Sequence, residues 1–149
     1  MNRWFEAFAG CILELNRCLQ RIKENEMKKF GLRGGHAMCL YYLSCHEEGL
    51  TAGQLTELCR EDKGAMSRSL AELVKLGIIF NDREEGKRTY RTRYFLTPAG
   101  REVTDQMNER IAHALSSGGY GMKTEVRAHF YEAMQLILNN LSRYDGEEN

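Results

Sequence analysis

Residues 50–101 read LTAGQLTELCREDKGAMSRSLAELVKLGIIFNDREEGKRTYRTRYFLTPAGR, and within this stretch the spacing of the apolar residues changes once. In Thr51-Ala52-Gly53-Gln54 a threonine is followed three residues later by glutamine, the pattern of a capping box, so a short helix is expected through Leu55 and Leu58. After the polar link Arg60-Glu61, Asp62 reads as an N-cap. Met66, Leu70, Leu73 and Val74 then recur at i, i+4, i+7 and i+8 until Gly77 terminates the second helix. From Ile78 the period falls to two. Ile78-Ile79-Phe80 and the run from Tyr90 to Phe95 are rich in β-branched and aromatic residues, and Glu84-Glu85-Gly86-Lys87 between them is a turn. Thr97-Pro98 starts the next helix, pairing an N-cap hydroxyl with a proline at the first helical position. Two helices across a short turn followed at once by a hairpin make a winged helix-turn-helix.

Working outward, residues 4–29 place Trp4, Phe8, Ile12, Leu15, Leu19 and Ile22 at helical steps and predict a first long helix. Gly31, Gly34 and Gly35 break it. A second helical segment carries Met38, Tyr41, Tyr42 and Cys45 and ends at Glu47-Glu48-Gly49. On the other side Val103, Met107, Ile111 and Leu115 form a stripe, residues 116–121 interrupt it, and Val126, Phe130, Met134, Ile137 and Leu141 resume it in a final helix. Residues 145–149 read as a frayed tail. The expectation is a mainly α fold with a small β-hairpin wing: four helices, the hairpin, then two helices, in one domain over residues 1–149.

A chain of 149 residues supports one ordinary core. Its 21 lysines and arginines balance 21 acidic residues, so nucleic-acid binding requires charge segregated onto one face. Cys11, Cys18, Cys39, Cys45 and Cys59 lie in helical patterns without a CxxC and read as reduced thiols of a cytoplasmic protein. Glu6, Glu14 and Arg17 interrupt the apolar residues near the N-terminus, which argues against a signal peptide or membrane span. GxSxG and Walker-type loops are missing, and Gly118-Gly119-Tyr120-Gly121 follows a helix rather than a strand, so neither an enzyme nor a cofactor is expected.

The charge is local. With Met66, Leu70, Leu73 and Val74 facing a core, the opposite side of their helix displays Lys63, Gly64, Ser67, Arg68 and Lys75. Arg68 has the two donors that read a guanine edge, Ser67 and Ser69 are candidates for bases or phosphates, and Gly64 leaves room for close backbone approach. The hairpin adds Arg83, Lys87, Arg88, Arg91 and Arg93 against Glu84 and Glu85, with Arg88 or Arg83 as the groove probe. Either feature alone is as easily a solvated face or a solubilised sheet edge; side by side they point to duplex DNA.

The same stretch resembles the MarR family of bacterial winged-helix regulators. The resemblance rests on the Asp62-Lys63 helix start, Met66-Ser67-Arg68, Leu73 with Gly77-Ile78-Ile79, the Asp82-Arg83 wing entry and Leu96-Thr97-Pro98-Ala99-Gly100. Gly31-Leu32 and Asn140-Leu141 extend it over nearly the whole chain. The wing departs from the family pattern: Glu84-Glu85-Gly86 stands where an Asp-Arg-Arg segment is common, and Arg91 and Arg93 carry positive charge along the second strand. The resemblance implies a homodimer in which residues 1–30 and 98–144 form dimerisation helices around winged lobes at residues 32–97. Two such lobes would grip half-sites of a pseudo-palindrome about 34–36 Å apart. The long apolar stripes of the first and last helices suit such a partner chain; packing within one chain is the alternative.

The family default is a repressor of transcription released by a small lipophilic effector, with His36, Tyr41 and Tyr42 as the implied lining residues here. A redox-responsive regulator using Cys11 or Cys18 is an alternative, opposed by their apolar surroundings and favoured by Arg17 and Arg21 near Cys18. His36 with Cys39 and Glu109 with His113 are helical pairs, but neither pair makes a metal site alone. A winged-helix protein-interaction module without specific DNA binding is the remaining alternative.

Overall fold

The computed structural model describes residues 3–84, 86 and 91–144. The elements are α1 (Arg3–Lys28), α2 (His36–Cys45), β1 (Leu50–Thr51), α3 (Ala52–Cys59), α4 (Lys63–Lys75), β2 (Ile79–Asn81), β3 (Arg93–Leu96), α5 (Pro98–Gly118) and α6 (Thr124–Ser142). The chain divides into two compact units, Met1–Ala112 and His113–Asn149.

Local chemistry sets the boundaries in the first unit. Thr51 Oγ1 accepts from Gln54 N–H while the Gln54 side chain accepts from Thr51 N–H, so both ends of the capping box are closed at the start of α3. Asp62 Oδ1 accepts from Ala65 N–H at 2.8 Å and caps α4. At the far end of α4, Gly77 N–H donates to Val74 O and Ile78 N–H to Leu73 O, each at 3.0 Å. This is a Schellman closure, and the φ of +70° it requires at Gly77 explains the glycine. Leu32 N–H to Met27 O closes α1 in the same way.

The wing strands β2 and β3 pair antiparallel, Ile79 opposite Leu96, Phe80 opposite Phe95 and Asn81 opposite Tyr94. A strand that sequence reading did not anticipate, β1, pairs with the other edge of β3, Leu50 opposite Tyr94 and Thr51 opposite Arg93. The order β1-β3-β2 therefore roots the hairpin in the start of α3. Thr97 joins wing to α5: its hydroxyl donates to Gly77 O at 2.7 Å and accepts from Gly100 N–H at 2.9 Å. Gly100 packs so closely that an added Cβ would stand 1.8 Å from Ile78 O.

One core gathers these elements. Met27 of α1, Leu40 and Leu43 of α2, Leu55 of α3, Met66 and Leu73 of α4, Ile79 of β2 and Met107 of α5 are all at most 2 % exposed. Most of α1 contributes nothing to it: Met27 is its only buried residue, and Trp4, Phe5, Leu13 and Leu15 are exposed. In the second unit α6 has no buried residue, and Val126, Phe130, Tyr131, Leu136, Leu138 and Leu141 are exposed.

Candidate nucleic-acid interface

The apolar period of α4 sorts its residues into two faces. Met66, Ser69, Leu70 and Leu73 are buried, while Lys63, Gly64, Ser67, Arg68 and Lys75 are exposed. The first turn of α4 holds Lys63 and no acid, at the end where the helix dipole already favours an anion. A methyl group at Gly64 would stand 3.3 Å from Arg68 Nη1 and 3.2 Å from Asp62 Oδ1, so the glycine gives the Arg68 guanidinium room at this end.

Glu72 is the only acidic residue of α4 and is tied down on its flank. Its Oε2 accepts from Arg33 Nη2 at 2.6 Å and from Arg33 Nε at 3.1 Å, and lies 3.0 Å from His36 Nε2. Burial alone would push the Glu72 carboxyl up, but Arg33 and His36 together hold it below the usual carboxylate range. His36 Nδ1 accepts from Arg33 N–H at 3.2 Å, which leaves Nε2 as the protonated donor to Glu72 in the neutral ring. Burial keeps that ring's pKa below the ordinary histidine value, against the pull of Glu72.

In the wing, Asp82 extends the ladder by one residue. Its N–H donates to Arg93 O at 3.1 Å, and its Oδ1 accepts from Arg93 N–H at 2.7 Å. Arg83, whose backbone N–H is held by Asn81 Oδ1 at 3.1 Å, and Arg91 are both exposed. Lys87 and Arg88 lie outside the described residues.

Three of the expected site residues have structural surroundings of their own. Ser69 is only 6 % exposed, because position 69 falls on the stripe of Met66, Leu70 and Leu73. Arg93 donates through Nη1 to Gly49 O at 2.7 Å, because its register with Thr51 carries the side chain over the turn before β1; it is a structural clamp. His36 is 1 % exposed, with both ring nitrogens hydrogen-bonded. Tyr41 is exposed and Tyr42 half-buried, their rings edge to face at 5.3 Å. The sequence reading missed Arg33 and Glu72. Their only signal was a lone acid on an otherwise basic helix, and the pairing spans 39 positions in sequence.

Cys11 is exposed, Cys18 is half-buried with Arg21 Nη2 3.9 Å from its sulfur, and burial pushes the Cys59 thiol up to about 11. Among the described residues no group of three or more His, Cys, Asp or Glu is placed to hold a metal ion, and no helix is long and apolar enough to cross a membrane.

No family model matches the sequence, and no curated protein is significantly similar to it. Solved structures do share its fold. Staphylococcus aureus MarR in complex with salicylate and kanamycin superposes with a TM-score of 0.83 at 14% identity, covering 95% of each chain. A Staphylococcus aureus MepR–DNA complex gives 0.80 at 15% identity over 90% of this chain and 97% of that one. A MarR-family regulator from Silicibacter pomeroyi gives 0.71 at 24% identity over 88% and 89%. The chain thus has the winged-helix fold of the MarR-family transcription regulators.

Proposed function

We propose that this protein is a sequence-specific, DNA-binding transcription regulator that acts as a homodimer, α4 entering the major groove and the wing lying along the flanking backbone. The observation that carries this reading is the segregation within α4. A chain of zero formal net charge presents Lys63, Gly64, Ser67, Arg68 and Lys75 together on one exposed face, with the helix's single carboxylate tied off by Arg33. Phosphate contact needs such a face, and base readout needs a donor such as Arg68 on it. The DNA complex of Staphylococcus aureus MepR, which shares the fold, supports the assignment. So do the exposed apolar residues of α1, Trp4 and Leu15, and of α6, Val126, Phe130 and Leu141, which suit a second copy of the chain.

Within this reading the protein is a repressor of a pseudo-palindromic operator that responds to a small lipophilic molecule, and it has no enzymatic activity of its own. The ligand-bound Staphylococcus aureus MarR is the support for an effector. Of the three lining residues expected from sequence, Tyr41 and Tyr42 are the more accessible and His36 is buried beside Arg33 and Glu72. Lys63, Ser67, Lys75, Arg83 and Arg91 supply phosphate contacts, Arg68 reads a base, and Lys87 or Arg88 extends the wing contact.

Substitution separates these roles. Arg68→Ala should cost about 1–3 kcal/mol on the preferred duplex and relax the preference at one base-pair position. Arg91→Ala should weaken all duplexes alike and lower the slope of log K against log salt by about one unit. Titrations of both variants against a preferred and a random duplex over a salt series read the difference; identical behaviour of the two would sink this division of labour.

A further inference from the structure

The loop between α1 and α2 is fixed on both sides by carboxylates. Glu24 of α1 accepts from Gly34 N–H at 2.8 Å, so closely that a Cβ at Gly34 would stand 2.6 Å from Glu24 Oε2. Two flanking residues of the same loop region, Arg33 and His36, converge on Glu72 Oε2 of α4 at 2.6 and 3.0 Å. Glu72 adjoins the core residue Leu73, at the border between the buried and exposed faces of α4. Apolar burial of Met66, Leu70 and Leu73 sets which face of the helix meets the core, and polar contacts at the border of that face can refine its angle. Charge-assisted hydrogen bonds are directional.

We propose that Arg33 and His36 are positioning residues for DNA recognition, setting the rotation of α4 about its own axis by holding Glu72 from a loop anchored to α1. The proposal rests on the assignment of α4 as the recognition helix and adds residues that never touch DNA. Glu72 is half exposed, so Glu72→Gln keeps its shape, leaves the core intact and removes only the charge that binds the two partners.

Glu72→Gln gives opposite signs for the two possible roles. Removing a negative charge beside a polyanion raises affinity through the field alone. Loss of positioning lowers affinity for the cognate site. The probes are the tightest duplex that the wild-type protein recovers from a randomised pool, and a random duplex. Glu72→Gln should bind the selected duplex about fivefold more weakly, the step from charge-assisted to neutral hydrogen bonding, while random-duplex binding holds or rises. Arg33→Gln combined with Glu72→Gln should be no weaker on the selected duplex than the weaker of the two single variants. Amide hydrogen exchange supplies a readout independent of DNA: amides from Met66 to Leu73 should exchange faster in Glu72→Gln, and those of α2 should not. Undiminished binding of the selected duplex, or unchanged exchange in α4, would overturn the proposal. If the wild-type protein selects no preferred duplex, the regulator reading itself fails, and the exchange experiment alone then decides whether this cluster positions α4.

Discussion

Thr104, on α5, has no exposed surface, and its hydroxyl lacks a hydrogen-bond partner, so folding removes that group from water without replacing its bonds. Thr104→Val keeps the branched shape and should raise stability by about 1 kcal/mol, seen as a higher denaturation midpoint. The buried His36 works in the opposite sense. Its folded-state pKa lies below the ordinary value because burial disfavours the cation, and Arg33 opposes charging while Glu72 and Glu61 favour it. A depressed histidine pKa contributes stability that is fully present above the unfolded value of 6.5 and is lost as pH falls through the folded value. Thermal midpoints should therefore decline as pH drops below 6.5 towards the folded value, and His36→Gln should flatten the decline there. Glu26 and Glu72, both held below 4.5, act only at lower pH, so the two regions separate in one titration. Individual side chains were the least legible part of the sequence. Ser69 and Arg93 carry the right chemistry for DNA, but a buried stripe covers the first and a strand register ties the second to the Gly49 carbonyl, and neither is a property of one residue.

Helix ends were far more legible, because capping is local chemistry. Thr51, Asp62, Gly77 and Thr97 all do in the structure what their spacing implies. Only β1 escaped notice: two residues cannot display an alternation, and Thr51 doubles as a helix cap. The turn between α3 and α4 holds one local compromise. Arg60 sits in the left-handed region at φ 55°, where its N–H donates to Glu57 O. That conformation costs an L-residue about 1 kcal/mol or more, so Arg60→Gly should gain up to about 1 kcal/mol in denaturant unfolding. Gly100 is the converse. An alanine there meets the Ile78 carbonyl and should cost about 3 kcal/mol, uncoupling the wing from α5.

At the scale of the molecule, the core is built from one end of α1, all of the winged-helix elements and the start of α5, while Val126, Phe130 and Leu141 of α6 stay exposed. Sequence periodicity revealed these stripes correctly as helical faces, but periodicity says only that a face is apolar and not which chain covers it. The proposed homodimer should sediment at twice the mass of the chain, and Phe130→Glu, at an exposed position of α6, should shift it towards monomer without unfolding the first unit. The central claim concerns what two such lobes do with their segregated charge. It is tested most directly by titrating the purified protein with fragments of its own upstream region and with random duplex, across a salt series. A sequence-specific regulator should show a preference of about a thousandfold or more and a steep fall in affinity with salt as phosphate contacts release counterions. Weak binding that ignores both sequence and salt would contradict it.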